Sequence, residues 1–305
     1  MPVIEGRMIE FHEPTIADRA WMQPILYAAG FPGADYTFNN MYFWSEYYGE
    51  VGLAAGMLTQ HKRYRGFDSY IYPAGTGDVR AALDEITLDA RERGGKLRLR
   101  GLTNDTRAKL ESLYPGRFRF TSYRDSFDYI YTVEELSELR GKKLQAKRNH
   151  CNRFCAEHPD WYTQELTADR LLACRKLLDV WYESHPSSEP LAVEQQAISR
   201  ALSNYETLEM DGLLLYDGER LVGVSMGTRM NEQYYDVNFE KAFAEVDGAY
   251  AMINREFSRM IARRYPGVQY LNREDDMGLE GLRKAKESYQ PTLLLEKFVA
   301  DEVNA

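Results

Sequence analysis

The chain has 305 residues, with 47 acidic against 38 basic side chains and a formal net charge of −9. That length calls for two domains of about 150 residues each, and the acidic balance disfavours broad binding to nucleic acid, DNA included. Three cysteines without C-x-x-C spacing exclude a disulfide framework and a zinc site, and no apolar run reaches the roughly 20 residues of a membrane-spanning helix.

The opening MPVIEGRMIEFHEP lacks the charged-then-apolar layout of a signal peptide, which with the reduced cysteines reads as cytoplasmic. Within it IEFHEP reads as a strand, and TIADRAWMQPILYAAG as a helix capped by Thr15 and kinked at Pro24. The aromatic YTFNNMYFWSEYYGE reads as helical. VGLAAGML and GFDSYIYPAG read as strands bounded by glycines. In DVRAALDEITLDARERG, Val79, Leu83, Ile86 and Ala90 line one helix face and Gly94 ends it. KLRLRGL (strand), NDTRAKLESLYPG (helix), RFRFTSY and SFDYIYT (strands) complete the first half.

Next comes GKKLQAKRNHCNRF, a concentration of cations in an acidic chain. Wound as a helix, Leu144, Cys151, Phe154 and Cys155 form an apolar arc, with Lys147 inside it and Arg148 at its edge. A cation beside a buried surface needs an anion. Carboxylates near Glu274 are one choice, and the phosphates of a ligand are the other.

The second half repeats the order of elements. TADRLLACRKLLDVWYESH and VEQQAISRALSNYETL are helices, and GLLLYDG and RLVGVSMGTRM a hairpin turning at Asp217-Gly218. In the next strand, QYYDVNFEK, strict alternation puts Tyr235, Val237 and Phe239 on one face. Tyr234, Asp236, Asn238 and Glu240 fall on the other, either a polar cleft or the wet side of an edge strand. GAYAMINREFSRMIARRYPG is a long helix, VQYLNRE a strand, DMGLEGLRKAKESYQ a helix and PTLLLEKFVA a final strand. Both halves thus close with helix, strand, helix, strand. The expected architecture is α/β in two tandem copies: residues 1–140, a connecting segment 141–165, and residues 166–305. Acids Glu274, Asp275 and Asp276 are adjacent in sequence with no histidine nearby, so no metal site is expected.

The order of elements resembles the GNAT acyltransferase fold in its tandem form, as in the Fem aminoacyl-transferases. LRGKKLQAKRNHCNRF, YDVNFEKAF, DGAYAMINREF and NREDDMGLEGLRKAKESYQP resemble the hallmark segments of the DUF2156 family, which is similar to the phosphatidylglycerol lysyltransferase C-terminal domain. The resemblance implies transfer of an acyl or aminoacyl group, from acyl-CoA or aminoacyl-tRNA, to an amine or hydroxyl by direct attack and without a metal. It implies catalytic roles for Asp236 or Glu240 as general base and Tyr289 as general acid. It implies donor binding by Gly248 and Ala249 at a helix start, although the glycine-rich fingerprint is missing there, and by Lys147 and Arg148. Asn238, Asn272, Glu274 and Arg283 are the substrate-binding candidates. The donor is a small molecule or is carried on tRNA, and peripheral contact with a membrane stays open. The alternative is a non-catalytic ligand-binding protein on a degenerate tandem GNAT fold.

Overall fold

The computed structural model describes residues 8–64, 66–186 and 188–303. The first seven residues of the segment read against a signal peptide lie outside these. The chain divides into two compact units, residues 1–128 with 295–305, and residues 129–294.

In the first unit, α1 (Arg19–Ala29) carries Pro24 inside it and ends at left-handed Gly30. The aromatic stretch forms two short helices, α2 (Phe38–Phe43) and α3 (Ser45–Tyr48). Strands β1 (Glu50–Ala54) and β2 (Met57–Tyr64) make a hairpin where the sequence reads as one strand, because Ala55 and Gly56 both take positive φ and turn the chain. IEFHEP contributes only a single bridge, His12 to Val51, and is not a strand. Next come β3 (Phe67–Ile71), α4 (Val79–Glu92), β4 (Lys96–Leu102), α5 (Asn104–Leu113) and β5 (Phe118–Ser122). Helix α4 starts where the Asp78 carboxylate accepts from the Arg80 and Ala81 amides, and buries Leu83, Ile86 and Ala90 against Tyr70, Leu97 and Leu99.

The second unit holds β6 (Asp128–Thr132), α6 (Val133–Glu138), α7 (Gln145–Glu157), β7 (Trp161–Glu165), α8 (Leu171–Glu183), α9 (Glu189–Ser203), β8 (Asp211–Asp217), β9 (Arg220–Arg229), β10 (Tyr234–Ala242), α10 (Ala249–Arg264), β11 (Tyr270–Asn272), α11 (Glu280–Glu287) and β12 (Leu293–Leu295). A last strand, β13 (Phe298–Glu302), returns to the first unit.

Among the described residues the sheets run β1-β2-β3-β4-β13-β5 and β12-β6-β11-β10-β9-β8-β7. Three antiparallel strands (β1, β2, β3) in the first and four (β7, β8, β9, β10) in the second lead into one parallel pair, β3 with β4 and β10 with β11. Each sheet then takes in a strand from the other half of the sequence. Strand β13 pairs antiparallel with both β4 and β5, and β6 pairs antiparallel with β11. This exchange moves the division to residue 128, not 140, and gives the C-terminus to the first unit. Residues 141–165 are likewise not a connector: α7 packs on α10 and β7 pairs with β8. PTLLLEKFVA is two strands, because Lys297 turns inward between them to pair with Asp35 (2.8 Å) and Asp128 (2.7 Å). No helix among the described residues is long and apolar enough to cross a membrane.

Candidate active site

The parallel pair β10–β11 is short. It runs from Tyr234 opposite Tyr270 to Asp236 opposite Asn272, and there the strands part. At the same level β10 carries a bulge: Val237 and Asn238 oppose the single residue Gly227 of β9. Any Cβ on Gly227 would collide with the Asp236 carbonyl oxygen, so glycine is required there.

The bulge corrects the strict alternation. An extra residue reverses which face each later side chain takes. Tyr235, before the bulge, packs its ring against Phe257 of α10, with centroids 5.9 Å apart. Glu240, after it, accepts from Asn254 Nδ2 of the same helix (3.1 Å). Asp236 and Glu240 therefore do not share a face.

On the α10 side, Glu240 closes the gap between the parted strands. Its Oε1 accepts from Arg273 Nη2 (2.7 Å), and its Oε2 accepts from Asn254 and from Ser225 Oγ (3.4 Å). Both partners of the ion pair are nearly shut from water, with side chains 9% exposed for Glu240 and 13% for Arg273. The Arg273 guanidinium lies 4.9 Å from the centre of the Tyr289 ring, and Lys147 Nζ lies 4.1 Å from it. Tyr289 is buried, and burial lifts its phenol well above the ordinary value. For Lys147 burial acts in the other sense. Burial first, then the Arg273 charge, push its pKa down, and Glu240 only partly opposes them.

The support beneath Arg273 is polar. Lys286 is buried and donates to the backbone carbonyls of Arg273 and Asp275, which pins the turn leaving β11. Asp276 accepts from Arg283 through both oxygens (2.9 and 3.0 Å), from Tyr129 OH (2.6 Å) and from the Gly278 amide (2.9 Å). Burial raises its pKa, but these donors outweigh it and hold the carboxyl well below the ordinary range. Tyr131 OH donates to the Lys286 carbonyl (2.7 Å).

The remaining candidates sort as follows. Asp236 is fully buried and accepts from Asn238 Nδ2 (2.9 Å), which also reaches Glu274 Oε1 (3.5 Å). Asn272 accepts from the Glu274 amide (2.7 Å) and holds Glu274 at positive φ. Arg283 belongs to the Asp276 support and is not beside Glu240. Arg148 donates to the carbonyls of Leu139 (2.5 Å) and Gly141 (3.2 Å), the free carbonyls that follow α6, and so secures a helix end.

Gly248 is left-handed, and a Cβ there would lie 2.5 Å from the His150 carbonyl oxygen of α7 and 3.0 Å from Phe154 Cβ. Ala249 is fully buried, with its amide bonded to the Val246 carbonyl. Asp247 just ahead is held by Arg153 (2.5 Å) and His150 (3.4 Å). Helix α7 thus packs closely against Gly248 at the start of α10, the place where donor binding was expected.

Sequence reasoning missed Asn254 and Ser225 and gave Arg273 no role. Gly227 was the one local sign of the bulge that brings Glu240 to them.

The family described as "Phosphatidylglycerol lysyltransferase, C-terminal" matches residues 30–301. A conserved protein of unknown function from Bacteroides thetaiotaomicron is 36% identical, with 97% of this chain and all of that one covered and a TM-score of 0.90. The C-terminal DUF2156 domain of a putative lysylphosphatidylglycerol synthetase from Agrobacterium fabrum is 11% identical over 95% of this chain and 93% of that one, TM-score 0.67. FemX is 9% identical over 97% and 98%, TM-score 0.59. An uncharacterised protein of Mycoplasmoides gallisepticum is 23% identical over 58% of this chain, which spans about half of that protein's length (56%). The fold is that of the DUF2156 domain and of FemX.

Proposed function

We propose, because the chain belongs to the phosphatidylglycerol lysyltransferase C-terminal family and keeps a charged cluster where β10 and β11 part, that it is an aminoacyl-transferase of the Fem type. Its donor is an aminoacyl ester carried on tRNA, and its acceptor an amine or hydroxyl. The observation that carries the choice of donor is the seat of α7 over the start of α10. A CoA thioester needs its pyrophosphate held at that helix start by free amides. An ester on a tRNA end has no pyrophosphate to place there.

In the reaction the acceptor oxygen or nitrogen attacks the ester carbonyl. The new C–O or C–N bond forms as the ester C–O bond breaks, and the departing ribose oxygen takes up the proton the acceptor loses. The ester carbonyl would be placed beside the β10 bulge, next to the point where the β10–β11 ladder ends. Glu240 already accepts from three donors, so its part is to hold Arg273 and Asn254 in place rather than to take a proton.

A thermal-shift screen of aminoacyl-tRNA, coenzyme A, acyl-CoAs and free amino acids tests this reading. Stabilisation by aminoacyl-tRNA and none by coenzyme A is expected. Tight coenzyme A binding would overturn the choice of donor. Binding of aminoacyl-tRNA with no turnover against any acceptor would favour the non-catalytic reading.

A further inference from the structure

The cluster beside Glu240 contains two cations and one carboxylate. Arg273 gives Nη2 to Glu240, but its other terminal nitrogen, Nη1, is buried without a hydrogen-bond partner among the described residues. Lys147 rests on the face of Tyr289, and no carboxylate among the described residues lies within ion-pair distance of it. Its surroundings are Arg273 from the turn after β11, Glu240 from β10, Cys151 from its own helix and the Tyr289 ring after α11. A buried guanidinium N–H is seldom left unsatisfied, and an orphan of this kind marks an absent water or ion. The surplus of positive charge selects an anion. That this surplus is kept in a chain of net charge −9, with carboxylates in excess, argues that it is reserved for a ligand.

We infer that Arg273 Nη1 and Lys147 Nζ form a subsite for a single oxyanion group, a carboxylate or a phosphate, seated against Tyr289. Calling that group part of a substrate rests on the transferase reading; its binding does not. Arg148, whose donors go to backbone carbonyls, takes no part. The anion needs Lys147 protonated, and Lys147 starts from a lowered pKa. Affinity therefore falls as pH rises through that value.

Calorimetric titration of the full chain with inorganic phosphate, and separately with acetate, at fixed ionic strength tests the subsite. The wild type should bind one anion saturably, more weakly at about pH 9.5 than at about pH 7. Lys147→Met should bind about tenfold or more weakly, the scale of a lost hydrogen bond to a charged group, and Lys147→Arg should retain binding. Preference for phosphate assigns the group to a nucleic-acid or phosphoryl source, and preference for acetate to a carboxylate. Unsaturable binding in the wild type, or equal binding in Lys147→Met, overturns the subsite and gives the Arg273 orphan to water. Circular dichroism establishes that each variant is folded before titration. Anion binding that depends on Lys147, with no transfer from any donor, keeps the subsite and removes the transferase reading. Transfer that is indifferent to Lys147→Met, with no anion bound, does the reverse.

Discussion

Replacing Arg273 with alanine removes the only cation within ion-pair distance of Glu240 among the described residues and leaves that carboxylate with Asn254 and Ser225. The side chains are 13% and 9% exposed, which places the pair with buried salt bridges, not surface ones. Breaking such a pair from one side costs about 3–5 kcal/mol, because the stranded charge stays out of water. For a unit of this size each kcal/mol moves the melting temperature by about 2–4 °C, so Arg273→Ala should lower it by roughly 6–20 °C. Neutralising both partners is far milder. Glu240→Gln with Arg273→Met should recover most of the loss, since an apolar or neutral pair in the same volume needs no desolvated charge. Urea denaturation of the two single variants and the double variant, read as a double-mutant cycle, gives the coupling directly. A loss below about 1 kcal/mol in Arg273→Ala would mean that water screens the pair as it does on a surface, and the reading of Glu240 and Arg273 as a buried pair would be wrong.

Gly248→Ala should cost about 2 kcal/mol or more, because it combines a left-handed backbone with a Cβ driven against the His150 carbonyl; urea midpoints measure it, and a neutral result would separate α7 from α10. Deleting residues 296–305 should unfold the first unit while the second keeps its melting transition, since β13 supplies ladder partners to both β4 and β5; calorimetry of the truncated chain distinguishes the two. The Asp276 carboxyl is depressed in the folded state, so its contribution is complete above the unfolded value near pH 4 and is lost as pH falls through the folded one. Arg283→Ala should therefore reduce stability at pH 7 more than at pH 3, as measured by urea unfolding at both. Tyr131→Phe, which removes the bond to the Lys286 carbonyl, should cost about 1 kcal/mol, and a larger loss would point to ring packing as the main term.

Much of this was legible from local pattern. The 3.6-residue period of α4 and the Asp217-Gly218 turn placed those elements, because burial of one face and turn chemistry are written residue by residue. Lys147 inside an apolar arc announced a shielded cation. The strand exchange left no such trace. Pairing of β13 with β4 lies some 200 residues apart in sequence, and Lys297, the break between β12 and β13, makes sense only once Asp35 and Asp128 are beside it. The bulge was equally hidden, since polar–apolar alternation runs unbroken through YYDVNFEK and an extra residue is visible only against its partner strand. The α10 start looked like a ligand site because a lone glycine there has two readings, and only the approach of His150 decides between them.

The direct test of the account is transfer of a labelled amino acid from a mixed aminoacyl-tRNA pool, in the presence of amine and hydroxyl acceptors. The full chain should discharge the label onto an acceptor faster than spontaneous ester hydrolysis. The Glu240→Gln, Arg273→Met double variant, folded but without the cluster, should not. Acyl-CoAs should be left intact by both. Consumption of an acyl-CoA by the wild type, with the aminoacyl-tRNA pool untouched, would contradict the account.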